Sequence, residues 1–163
     1  MPEVVVDTNV WATAGKTITE VETLEEADCI EHCADWIVEF LDGGYKLLVD
    51  SLGKVIEEYN YYILPGRFPE SELNRLYSEL WGRLEYVDIE FDNSGSAVLP
   101  AAISFHDPAD RKFVALALAR DPYAPIYNAA DTDWAKEREK LAEHGLTIYE
   151  ICPDYIEQKR ASR

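Results

Sequence analysis

The residues of this 163-residue chain that carry most chemistry are its acids: 32 Asp and Glu stand against 15 Lys and Arg, a net charge of −17. Four groups of them fall where a strand should end or a helix begin or continue. They are Asp7 after Val4-Val5-Val6, Glu57 and Glu58 in SLGKVIEEY, Asp107 and Asp110 in FHDPADRKF, and Asp131 and Asp133 in NAADTDWA. Carboxylates gathered at one place repel one another. They are then either protonated or neutralised by a cation, and hard oxygen donors select magnesium, manganese or calcium. The pattern therefore predicts an acidic metal cup. Each acid also has a plainer reading, because Asp is a favoured cap and turn residue: Asp7 can be a strand-end turn, Asp107 before Pro108 reads as a cap, and Glu57 and Glu58 read as solvated helix acids. Asp110 is harder to dismiss, since it opens an otherwise apolar helix, although Arg111 and Lys112 can pair with it at the surface. Relative to Ile56 and Tyr59, Glu58 shares a flank with Ser51 and Tyr62, which favours it over Glu57.

The elements that must position these acids follow from periodicity. Val4 to Val6 reads as a short strand buried on both faces. Ile30, Cys33, Ala34, Ile37, Val38 and Leu41 keep three-and-four spacing and predict a helix over 24–41, stopped by Gly43-Gly44. A strand over 46–49 follows, then a helix capped by Asp50 or Ser51 with Leu52, Val55, Ile56, Tyr59 and Ile63 inward. A fourth segment, opening at Pro69, places Leu73, Leu76, Tyr77, Leu80, Trp81 and Leu84 on one helical face. Strands are expected over 86–91, 126–128 and 146–151, and helices over 109–120 and from Asp131 through Leu141. This alternation predicts a three-layer α/β/α sandwich with a mostly parallel central sheet of about five strands. One domain over 1–155 and a mildly basic, frayed tail over 156–163 are expected. In open parallel sheets ligands bind beyond the carboxyl ends of the strands, where Asp7 and Asp131 fall.

Several function classes are disfavoured. A nonspecific polyanion binder should not carry −17. The longest purely apolar run, Phe113 to Ala119, is far below the roughly 18 residues of a membrane span, and Glu3 and Asp7 replace a basic leader, so a soluble cytoplasmic protein with no membrane partner is expected. Three cysteines form an odd, sparse set that implies no disulfide framework. Cys29, His32 and Cys33 lie within one helical turn, but a structural zinc site takes four ligands, so zinc is set aside. No P-loop and no nucleophile elbow occur, and Asp7-Thr8-Asn9 lacks the Asp-x-Asp of a phosphotransfer aspartate.

Together VVVDTNVW, SLGKVIEEY, DPADRKFVALALA and NAADTDWA, closed by LTIYEI, resemble a PIN domain, the nuclease-like fold of toxin–antitoxin ribonucleases and of RNA-processing and RNA-decay factors. The likeness spans essentially the whole chain. It implies an endoribonuclease dependent on magnesium or manganese, with Asp7, Glu58, Asp110 and Asp131 as catalytic acids and Asp7, Asp110, Asp131 and Asp133 around the metal. Asn9 would accompany Asp7, and Asn128 would stand in for the threonine usual before the fourth aspartate, where this chain has Ala129. Glu57 remains the alternative to Glu58, and Ser51 lies at the edge of the site, where capping is its expected role. Metal-oriented water needs no histidine base, so His106 reads as a loop residue. RNA would need a local basic path, for which Arg67, Arg75, Arg83, Arg111 and Lys112 are candidates, with Tyr61, Tyr62 and Trp134 able to stack bases. The acidic surface equally suits a basic protein partner such as an antitoxin. A homodimer and a PIN-like interaction module without nuclease activity stay open.

Overall fold

The computed structural model describes residues 1–162. Its elements run β1 (Glu3–Val6), α1 (Thr8–Ala14), α2 (Leu24–Asp42), β2 (Lys46–Asp50), α3 (Lys54–Tyr62), α4 (Glu70–Ser78), β3 (Leu84–Val87), α5 (Arg111–Leu118), β4 (Ile126–Asn128), α6 (Thr132–Glu143), β5 (Ile148–Glu150) and α7 (Pro153–Ala161). The five strands form one sheet in the order β3-β2-β1-β4-β5, every neighbouring pair parallel. With helices covering the sheet, the fold is the expected α/β class, its sheet wholly parallel.

β1 lies at the centre because Val4, Val5 and Val6 are β-branched and apolar, which suits a strand covered on both faces; all three are buried. The chain turns at Asp7 straight into α1, whose Val10 and Trp11 are fully buried. Trp11 meets Phe40 of α2 and Tyr59 of α3 at ring-centroid distances of 6.1 and 5.7 Å. Tyr59 also donates its hydroxyl to the Val6 carbonyl at 2.5 Å, tying α3 to the end of β1. α5 packs over β1, β2 and β4 with Phe113, Val114, Leu116 and Ala117 buried.

Several expectations are corrected. The helix after β2 starts at Lys54, so Leu52 is 71% exposed in a turn that closes through Gly53 at φ 79°, a left-handed conformation glycine adopts without penalty. Ser51 is exposed and is not the cap. Asp50 does that work: fully buried, it accepts from Lys54 N at 3.0 Å and Val55 N at 2.7 Å. The segment from Pro69 is no single helix to Leu84. α4 ends at Ser78, Trp81–Arg83 form a 3₁₀ turn, and Leu84 opens β3. The reason is Arg83, whose buried guanidinium donates to the carbonyls of Phe40 and Leu41 at the end of α2 and, through Nε at 2.7 Å, to that of Tyr45. Satisfying the last carbonyls of α2 this way turns the chain and leaves Trp81 exposed. α1 and α7 were not anticipated. Most of the segment expected to be a frayed tail lies in α7, anchored by buried Ile156 and by Lys159, which donates to the Ala130 carbonyl; Arg163 lies outside the described residues.

The cysteines also differ from expectation, since Cys29 and Cys152 form a disulfide across a sequence separation of 123. Helix α2 and the start of α7 pack together and bring the two side chains into reach. Among the described residues no helix is long and apolar enough to cross a membrane.

The Asp50 cap yields a test. Asp50→Ala removes a buried acceptor of two backbone N–H groups and should lower urea-unfolding stability by about 1–2 kcal/mol, whereas Ser51→Ala should change it by less than about 0.5 kcal/mol.

Candidate functional site

Three acids from three separate segments converge beyond the carboxyl end of β1. A carboxylate oxygen from each of Asp7, Asp110 and Asp131 lies within 4.8 Å of the other two. Each comes from a helix start. Asp7 is the N-cap of α1, Asp131 the N-cap of α6, and Asp110 ends the 3₁₀ turn Pro108–Asp110 that leads into α5.

Asp7 is buried and held on both oxygens. Its Oδ1 accepts from Asn9 N at 2.9 Å and Asn9 Nδ2 at 2.6 Å, and its Oδ2 accepts from Trp134 Nε1 at 2.8 Å. Asn9 and Asn128 then join the two loops. Asn9 Oδ1 accepts from Ala129 N and Ala130 N, Asn9 Nδ2 donates to Asn128 Oδ1 at 2.9 Å, and Asn128 Nδ2 donates to the Asp131 carbonyl at 2.9 Å. Asn128, fully buried, thus ties the loop ahead of α6 to the Asp7 turn. Asp131 Oδ1 accepts from Asp133 N at 2.9 Å, while the half-buried Asp110 takes no capping hydrogen bond on its side chain.

Electrostatics follow from burial and crowding. Burial pushes Asp7 up to about 7, with the charges of Asp131 and Glu58 adding to it and the Asn9 and Trp134 donors opposing. Asp110 is pushed to about 9, first by burial and then by Asp7, Asp107 and Asp131, with Lys112 opposing. Asp131 is also raised, chiefly by burial, although hydrogen bonds from Asp133 N and the Asp110 carboxyl hold it down. Raised together, these acids hold their protons to higher pH than free aspartates do.

Glu58 stands beside this group. Its Oε2 accepts from the Thr8 hydroxyl, and its Oε1 accepts from Lys112 Nζ at 2.8 Å. Glu57, one residue earlier, is exposed on the wall of the neighbouring cleft. Of the two glutamates, Glu58 is the one in the network. Asp133 stands outside the convergent trio, its carboxylate 3.9 Å from Lys136 Nζ, and contributes its backbone N–H to Asp131. Asp107 caps the turn before α5, accepting from Ala109 N at 3.0 Å, and His106 is an exposed loop residue.

The expected RNA contacts are largely redirected. Lys112 is buried between Glu58 and the Ala109 carbonyl, and Arg111 Nε donates to the Phe105 carbonyl at 3.0 Å. Arg83 is consumed at the end of α2. Trp134 is fully buried against Phe105, ring centroids 4.3 Å apart, and serves Asp7 instead of stacking a base. Tyr61 and Tyr62 are exposed. Thr8 was missed as a site residue, and Trp134, expected to stack a base, instead holds Asp7. Their signal was position, Thr8 following Asp7 directly and Trp134 lying three residues into the helix that Asp131 caps.

A cleft of 630 Å³ opens beside Glu58 and Lys112, walled on one side by Lys54, Glu57 and Tyr61 and on the other by Ser94 and Ser96. The Ser94–Ser96 wall is shaped by Asp92, whose Oδ1 accepts from Ser94 N and Ser96 N, and Lys54 Nζ reaches across to 4.8 Å from the Phe91 ring centroid.

Comparison of the chain with models of known protein families, with curated proteins and with solved structures yields no match.

The raised carboxyls set the pH dependence of the metal-free protein. An acid whose folded pKa lies above its ordinary value binds more protons folded than unfolded, so its contribution falls as pH rises through that interval. For Asp7 and Asp110 the interval runs from 3.8 to about 7 and to about 9. In a chelator, the urea midpoint should therefore fall between pH 5 and pH 9, about the span of these intervals, and Asp110→Asn should flatten that slope and raise the midpoint at the alkaline end.

Proposed function

We propose that the chain is a metal-dependent endoribonuclease of the PIN type, hydrolysing phosphodiester bonds with a magnesium or manganese ion held by Asp7, Asp110 and Asp131. The observation that carries this reading is the convergence of those three carboxylates, all hard oxygen donors, from three segments far apart in sequence. Their fit to a small divalent cation is chemical: three acids whose pKa values are raised by burial and mutual repulsion lose that repulsion when a cation takes the place of their protons. The sequence resemblance and the five parallel strands support the same assignment.

When bound, the ion supplies an acidified water and neutralises charge on the phosphoryl oxygens. The rest falls to the chain. Trp134 and Asn9 hold Asp7 in one orientation, so its remaining lone pairs face the cluster. Asp110 takes no capping hydrogen bond from α5, so its carboxyl is left to the cluster. Thr8 and Lys112 fix Glu58 at the boundary between cluster and cleft, and the Lys112 ammonium offsets part of the local negative charge. Single-stranded RNA would enter along the cleft, where Lys54 meets phosphate and the exposed Tyr61 ring offers a stacking surface. The remaining acidic surface would address a basic partner, as an antitoxin would be.

Titration calorimetry of manganese into wild type and Asp110→Asn at physiological salt tests the reading. Saturable binding to wild type, with proton release that scales with buffer ionisation enthalpy, should be lost in Asp110→Asn while its circular dichroism is unchanged. Manganese-dependent cleavage of a mixed RNA pool should fall by more than about 100-fold in the same variant. Equal weak binding to both proteins would overturn the assignment in favour of a protein-interaction module.

A further inference from the structure

All three cysteines of the chain meet at one place outside the acid cluster. Cys29 and Cys33 sit four residues apart on one face of α2, and Cys152, the N-cap residue of α7, arrives from the far end of the sequence. All three are buried, their sulfurs lie within 4.8 Å of one another, and Cys33 remains a thiol beside the Cys29–Cys152 disulfide. A disulfide needs two cysteines. The third has no role in the cross-link, yet its sulfur stands 3.8 Å from that of Cys152. Two thiolates on one tetrahedral zinc ion, each at about 2.3 Å, stand about 3.8 Å apart.

We propose that, on reduction, Cys29, Cys33 and Cys152 form a three-thiolate site for a soft or borderline divalent cation of the zinc type. The electrons come from a dithiol reductant: the Cys29–Cys152 bond breaks, both sulfurs become thiols, and the dithiol closes to its own disulfide. Cation binding then displaces three thiol protons. A cavity of 260 Å³ leads to the site, bordered by Cys29 and Cys152 and by Glu25, Asp28, His32 and Tyr155. Its acidic rim attracts cations, and its volume admits the water that completes the fourth position. Burial pushes the Cys33 thiol up to about 12, with the Lys16 charge opposing, so the sulfurs stay protonated until a cation takes the place of those protons. Either state, disulfide or metal, ties α2 to the start of α7, so the cross-link survives a change of redox environment.

Cobalt titration of the full chain, reduced by a phosphine under anaerobic conditions, tests this independently of the acid cluster, because carboxylates give no sulfur-to-cobalt charge-transfer band. A charge-transfer band with tetrahedral visible absorption should saturate at one equivalent and be displaced by zinc. It should be absent from the oxidised protein and lost in Cys33→Ser. A reduced wild type with three titratable thiols and native circular dichroism but no sulfur band would overturn the proposal, as would a full band in a folded Cys33→Ser. If that variant does not fold, the reduced and oxidised wild type decide alone.

Discussion

A carboxylate carried into the core at the end of the central strand governs how the rest of this molecule is built. Asp7 follows three buried valines, and leaving it without partners there would cost several kcal/mol. Its environment answers on every side: α1 begins at once so that Asn9 can donate, α6 is placed so that the Trp134 indole reaches the other oxygen, and Asn128 locks the two loops together. A cap, an indole and two amides thus do two things at once. They satisfy a buried acid, and they fix the direction in which its unused lone pairs point.

The same logic explains the acids beside it. Asp107 caps its turn, as its plain reading had it, and Asp131 caps α6 as well. What distinguishes the cluster is that three helix starts share one end of the sheet, which parallel topology enforces. Successive strands must point the same way, so every helix start that follows a strand falls on the same edge. Asp110 reaches that edge from a 3₁₀ turn instead of a strand end, and it is also the acid with least support from N–H donors.

Much of this was legible in the residues, and the exceptions have physical causes. The Val4–Val6 run, most of the α2 stripe and the apolar α5 announced themselves, although Val38 of that stripe is exposed and Phe40 is buried instead, and Asp7, Asp110 and Asp131 stood out by position. Leu52 and Trp81 misled because an apolar residue on a helical period need not be in the helix; a left-handed glycine and the buried Arg83 broke the pattern in each case. Trp134 looked like a stacking surface, since an indole beside acids gives no sign of facing inward until the loop before it is tied to Asp7. Lys112 looked like a surface cation, but its partner Glu58 is 54 residues away in sequence. The meeting of Cys29 with Cys152 is hidden for the same reason, and α7 has too weak a periodicity to be read at all. Contacts set by long-range packing leave little trace in local spacing.

The bond between Trp134 and Asp7 spans 127 residues. During synthesis, then, the aspartate emerges 127 residues before its indole, and Asp110 and Asp131 also follow it at a long distance along the chain. A nascent chain that has not reached residue 110 holds Asp7 without the Trp134 donor and without the two aspartates that crowd it. The three acids and the indole stand together only after the segments from Pro108 through Trp134 have joined this end of the sheet, which delays any chemistry at this edge until they have docked.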